Sequence, residues 1–140
     1  MNDAKAFFDT NILLYMYGSD SLKRKRAIEL FGEYTDSGRM LISTQVVQEF
    51  YVNGSRKLGM PRHVVIEVVA GLLHWPVIKI GGEEILVAIE IEERYKISYW
   101  DALIVAAAQS GGGETLYTED LNDGQRYGTV MARNPFRMAH

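Results

Sequence analysis

Four acidic residues from four separate segments could act together: Asp9 in FFDTNILLY, Glu49 in VVQEFY, Asp101 in SYWDALIVAAAQ and Asp120 in LYTEDLNDGQ. Each lies in or beside an apolar stretch, and an acid on an apolar surface is rarely buried without a partner. Glu49 is the clearest case. It shares a helical face with Val46 and Phe50, and no Lys or Arg lies three or four positions away; only Gln45 and Asn53 could hydrogen-bond to it. Two carboxylates about 4 Å apart repel by roughly 4 kcal/mol at an effective dielectric near 20. A cluster of four would therefore take up protons or bind a cation. Ligands that are all oxygen suit Mg²⁺ or Mn²⁺ rather than zinc or copper. One or two such ions can activate water and stabilise the leaving oxygen of a phosphodiester, so the chemistry on offer is metal-assisted hydrolysis.

Each acid also has a local reading. Asp9 could cap a helix, Ser98-x-x-Asp101 matches a capping box before an apolar run, and Asp120 sits in a polar turn. The joint reading requires a scaffold that gathers four distant segments. Short apolar runs at Ala6–Phe8, Met40–Ile42, Pro76–Ile78, Thr115–Tyr117 and Thr129–Ala132 predict five strands. Between them, helical patterns run from Thr10 to Tyr17, through Ala27, Leu30, Phe31 and Tyr34, and from a Ser43 or Thr44 cap to about Leu58. Three more follow. One opens near Pro61 with Val65, Val68, Val69 and Leu72 on one face. The next starts at Gly81-Gly82 with Glu83 and Glu84 in its first turn. The last is capped by Ser98 and spans Tyr99 to Ser110. The ALIVAAA centre of this sixth helix is apolar all round, which predicts a central, buried position. Gly111-Gly112-Gly113 is read as a turn. Strands alternating with helices predict an α/β domain with a mostly parallel sheet. In such sheets sites form at the carboxyl ends of strands, the edge where the four acids would fall.

Composition sets outer bounds. The 140 residues, 47% hydrophobic and 24% charged, fit a single globular domain over 1–140. The lack of cysteine excludes a disulfide scaffold, a thiol nucleophile and cysteine-bound zinc, and is compatible with a cytoplasmic protein. No signal peptide is apparent in MNDAKAFF, and no apolar run approaches the ~20 residues of a membrane span. The net charge of -3 argues against a nucleic-acid binder unless the acids cluster and the basic residues lie around them. The basic residues do group. Lys23-Arg24-Lys25-Arg26 is the densest run, at a helix N-terminus where cations oppose the dipole by roughly 0.3–1 kcal/mol each. Arg56, Lys57 and Arg62 form a looser group, and Arg126, Arg133 and Arg137 a third. Either a solvated helix face or contact with RNA phosphates would account for them. Trp75, Trp100 and the eight tyrosines could pack in the core or stack on bases. VVIEVVAGLL is more apolar than one buried face requires, so it could also meet a partner.

In the four quoted blocks, and in their order, the sequence resembles the PIN-domain ribonucleases, and within them the VapC-type toxins of toxin–antitoxin pairs. The resemblance covers nearly the whole chain. It implies a three-layer α/β/α fold around about five parallel strands, and an endoribonuclease dependent on one or two Mg²⁺ or Mn²⁺ ions. It also implies a homodimer and a small antitoxin partner. By analogy Asp9, Asp101 and Asp120 would be metal ligands, and Glu49 would bind metal directly or through water, or orient the nucleophile. Thr10, Asn11 and Thr118 stand where the family places small polar residues, and could hydrogen-bond the carboxylates or a metal-bound water. Glu119 and Asp123 read as turn residues with no assigned role. A non-catalytic RNA- or protein-binding module on the same fold is the alternative. A haloacid-dehalogenase-like phosphatase, which also uses an Asp after its first strand, is discounted because Asn11 replaces that family's second Asp.

Overall fold

A computed structural model describes residues 3–137, so the first two and last three residues of the expected 1–140 domain lie outside it. The strands are β1 Lys5–Phe8, β2 Met40–Ser43, β3 Val77–Ile78, β4 Gly113–Tyr117, β5 Arg126–Tyr127 and β6 Val130–Arg133. The helices are α1 Thr10–Tyr15, α2 Ser21–Asp36, α3 Thr44–Arg56, α4 Arg62–Leu72, α5 Gly82–Tyr95 and α6 Tyr99–Ser110. One sheet runs in the order β3-β2-β1-β4-β6-β5, parallel except for the final β5–β6 pair.

Strand alternation decides what covers each face. Phe7 stands level with Leu41 and Leu116. Leu41 reaches the end of α6, where a Cβ added to Gly111 would come within 3.2 Å of its Cδ1. That face is covered by α6, with α5 packed outside it. Phe8, level with Tyr117, points the other way and meets Phe31 and Tyr34 of α2 edge-on, at centroid distances of 5.3 and 5.7 Å. The sheet thus lies between helical layers. Every residue of α6 from Ala102 to Ala108 is buried, as its all-round apolar sequence predicts.

The strand order also fixes where a site can form. The chain builds outward from β1 through β2 to β3, then crosses back to place β4 on the other side of β1. Order reverses at the β1/β4 boundary, and the crevice at the carboxyl ends of these two strands is the switch point of the sheet.

The structure departs from the sequence reading in detail. The sheet has six strands rather than about five. The additional β5 is two residues long and folds back onto β6 across Gly128, whose φ of +64° suits glycine. Gly113 opens β4 instead of closing a turn. A Cβ there would lie 3.1 Å from the Ala108 carbonyl oxygen, so the strand starts tightly beneath α6. The first helix ends at Tyr15 and the third at Arg56, each two residues early, and Pro61 precedes α4 as its cap. Among the described residues no helix is long and apolar enough to cross a membrane.

Candidate active site

The site is built from backbone ends that need partners. At the end of β1, Asp9 takes up the N-cap position of α1, and its Oδ1 accepts the Thr10 N–H at 2.7 Å. Its Oδ2 accepts the Thr118 hydroxyl, also at 2.7 Å, from the residue that follows β4. Thr118 in turn accepts the Asp120 N–H at 3.0 Å. One buried hydroxyl thus joins the ends of the two central strands. Asn11 on α1 donates from Nδ2 to Asp120 Oδ2 at 3.0 Å.

The other two acids arrive on helices. Glu49, on the second turn of α3, accepts the Thr10 hydroxyl on Oε1 at 2.6 Å and Gln45 Nε2 on Oε2 at 3.2 Å. Gln45 also donates to the Trp100 carbonyl at 3.2 Å, which ties α3 to the start of α6. Asp101 lies in the first turn of α6, where Ser98 accepts its N–H at 3.1 Å. Asp9 does cap α1, and of the Ser98-x-x-Asp101 capping box the half in which Ser98 accepts is formed; neither local role competes with the joint one, because each acid is placed by the helix end it occupies.

Electrostatics links all four. Burial pushes Asp9, only 5% exposed, up to about 7, and the charges of Asp120 and Glu49 add to this against the lowering hydrogen bonds from Thr118 and Thr10. Asp101 is raised by burial and then by Glu49, with the Ser98 hydroxyl acting the other way. Asp120 sits at the exposed rim, yet its carboxyl group is shielded enough that loss of water is the first cause of its raised pKa. Asp101, Glu119 and Glu49 add to the rise, and Asn11 opposes it. Among the described residues the ion pairs are Lys23–Glu119 and Lys96–Glu93, and neither includes any of the four acids.

These donors suit a hard cation. They are all oxygen, three of them (Asp9, Asp101 and Asp120) are held above the usual carboxylate range, and among the described residues none has an ion-pair partner. Asn11 Oδ1 and Gln45 Oε1 are also buried without a hydrogen-bond partner among the described residues. Their amide orientations follow from chemistry, since each NH₂ faces acceptors. As placed, the cluster is open: among the described residues no three His, Asp or Glu side chains stand together as a ready metal cage.

The candidate RNA-binding cations do not form one patch. Lys23 is turned inward, 2.8 Å from Glu119 Oε2. Arg26 donates to the Pro135 carbonyl. Arg24 and Lys25 remain exposed beside a surface cavity shared with Gly18, Ser19 and Ile28. Arg56 and Lys57 are exposed at the end of α3, and Lys57 lines a groove with Asn11, Leu14, Tyr15 and Leu58. That groove reaches the acids through Asn11. Arg62 donates to the Tyr51 hydroxyl. Of the two residues without a role, Glu119 pairs with Lys23, and Asp123 Oδ1 accepts the Asn134 N–H as a loop latch. Sequence reasoning missed the Tyr15–Lys23–Glu119 cluster, whose members are up to 104 residues apart and carry no shared local pattern.

The PIN-domain family model matches residues 6–125. No curated protein matches. A toxin–antitoxin complex from Klebsiella pneumoniae is similar at 25% identity and a TM-score of 0.72, over 94% of this chain and 98% of that one. The Mycobacterium tuberculosis toxin VapC20, described as cleaving the sarcin-ricin loop, shares the fold at 18% identity and a TM-score of 0.67, over 83% of this chain and 90% of that one. With the parallel sheet, its switch-point crevice and a matching stretch that runs from the first strand to beyond the last acid, the chain belongs to the PIN-domain family.

Proposed function

We propose that the protein is a Mg²⁺- or Mn²⁺-dependent endoribonuclease of VapC type, the toxin of a toxin–antitoxin pair acting in the cytoplasm, with residues 1–140 as one PIN domain. One observation carries the reading: four carboxylates from four segments meet across the switch-point crevice, and among the described residues none is paired with a protein cation. Asp9, Asp101 and Asp120 would hold one or two ions, with Glu49 binding directly or through water, or orienting the nucleophile. When bound, the metal activates water and stabilises charge on the phosphodiester. The chain's own residues do the positioning. Thr118 and the Thr10 N–H aim Asp9, Thr10 Oγ1 and Gln45 fix Glu49, and Asn11 holds Asp120. Lys57 along the groove, with its neighbour Arg56 at the end of α3 and Arg24 and Lys25 beside the adjoining cavity, would hold RNA phosphates. Trp100, 64% exposed and next to Asp101, offers a face for base stacking.

The Klebsiella neighbour is a toxin–antitoxin complex, which supports an antitoxin partner here. Exposed apolar side chains at Ile66 and Leu73, and at Ile85, Leu86 and Ile89 on α5, would supply surfaces for that partner and for a homodimer.

The purified protein should cut RNA with Mg²⁺ or Mn²⁺ and stop in EDTA. Asp9→Asn and Asp101→Asn should each lower the rate at least about a hundredfold, the scale on which a misplaced reacting group costs catalysis. Undiminished cleavage by both variants in EDTA would overturn the reading. RNA binding that persists without any cleavage would favour the binding-module alternative.

A further inference from the structure

One member of the basic run is engaged by the protein's own side chains. Lys23 Nζ lies 2.8 Å from Glu119 Oε2 and 3.1 Å from the Tyr15 hydroxyl, which itself donates to Glu119 Oε1 at 2.7 Å. The ammonium stands 4.7 Å from the centre of the Tyr15 ring and 5.2 Å from that of Phe136. Those rings meet edge-on at 5.0 Å. Side chains from α1, α2, the segment after β4 and the C-terminal stretch thus converge on one charge.

The position of Glu119 gives the cluster its consequence. It lies between Thr118, which holds Asp9, and Asp120, which Asn11 holds. Residues 118–120 are therefore fixed on the acid side by Thr118 and Asn11, and on the other by Tyr15 and Lys23. Tyr15 lies four residues after Asn11 on the same short helix, so the clamp ties the helix that holds Asp120 to the segment that carries it. Charge matters as well. Without Lys23, Glu119 would be a carboxylate with no ion-pair partner directly beside Asp120. The cation's unfavourable place at the N-terminus of α2 is explained by this pairing.

We infer that Lys23, together with Tyr15, is a positioning residue rather than an RNA contact: it neutralises Glu119 and locks residues 118–120 so that Asp120 stays set against Asp9 and Asp101. The inference rests on the nuclease reading. A phosphate-binding lysine and a positioning lysine leave different kinetic traces.

The test is steady-state cleavage of one RNA oligonucleotide with Mn²⁺ by wild type, Lys23→Met, Lys23→Arg, Tyr15→Phe, Glu119→Gln and the Lys23→Met/Glu119→Gln double variant. Lys23→Met keeps an apolar stem against Tyr15 and Phe136, and its melting curve checks that it folds. It should lower kcat about ten- to a hundredfold, with KM and salt dependence unchanged. Lys23→Arg should keep most of the activity, Tyr15→Phe should lose less than Lys23→Met, and the double variant should recover part of the loss because neither charge is left unpaired. In the metal-free protein, the Asp120 amide should exchange its hydrogen faster in Lys23→Met but not in Lys23→Arg. A raised KM with a flatter salt dependence and unchanged kcat would overturn the inference in favour of a phosphate contact. Unchanged kinetics, or unchanged Asp120 exchange, would overturn it outright. If wild type cuts no RNA with either metal, the nuclease reading fails instead, and the exchange measurement still decides the clamp.

Discussion

Asp9 concentrates the conflict of the site in one side chain. Folding buries it and surrounds it with like charges, so its carboxyl group titrates near 7 rather than at its ordinary value of 3.8. Between those values the folded state binds more protons than the unfolded chain, so stability of the metal-free protein falls as pH rises. Above about pH 7 the full penalty is present; below the ordinary value it is absent. Thermal melts in EDTA should therefore show a melting temperature several degrees lower at pH 8 than at pH 5.5. Asp9→Asn should flatten that dependence and stabilise the metal-free protein at pH 8 while abolishing cleavage. The change is tolerable because the Thr118 hydroxyl can rotate to accept from the new amide. At this scale Glu49 was legible in the sequence because it stood on an apolar helical face with no basic residue in helical reach, and the other three acids because each followed or opened a predicted element at the same edge of the sheet. The assignment of Lys23 was not. A run of four cations looks uniform along the chain, and the feature that singles out its first member is a carboxylate 96 residues away. Gln45 was visible as one of two possible partners for Glu49, and burial on the α3 face toward α6 distinguishes it from Asn53.

The elements that carry the acids are set by their ends. Asp9, Asp20, Ser43 and Ser98 cap α1, α2, α3 and α6 with side-chain oxygens. Ser98→Ala should cost about 1 kcal/mol, the usual worth of such a cap, measured by urea unfolding. Because the lost bond is to the Asp101 N–H, cleavage should fall as well, whereas a cap far from the acids would affect stability alone. Helices with such caps and a regular apolar stripe were readable from sequence, as were the buried strands β1, β2 and β4. The two-residue β5 was not. DGQRYG reads as turn, and its pairing depends on β6 being held against β4. Gly113 was misread for a related reason. Three glycines in a row signal a turn locally, and only contact with Ala108 of α6 shows why the third must be small inside a strand.

Across the whole molecule, the acids account for much of the tension between a net charge of -3 and the proposed RNA substrate. A cation that binds only the folded protein stabilises it by about 2.7 kcal/mol at a hundred times its Kd. Mn²⁺ should thus raise the melting temperature, and by more at pH 8 than at pH 5.5, where protons compete for the same carboxylates. Asp9→Asn should remove most of this gain. Equal stabilisation of wild type and variant would place the bound ion elsewhere.

The central position of β1 also bears on synthesis. Its neighbours β2 and β4 are translated at very different times, and the Thr118–Asp9 and Asn11–Asp120 bonds each span 109 residues. A chain emerging from the ribosome carries Asp9, Glu49 and finally Asp101 with nothing to close the crevice. The last acid and its threonine come only when most of the polypeptide is already made. On the nuclease reading, a growing chain, or one that stops short of Thr118, lacks the residues that complete the site.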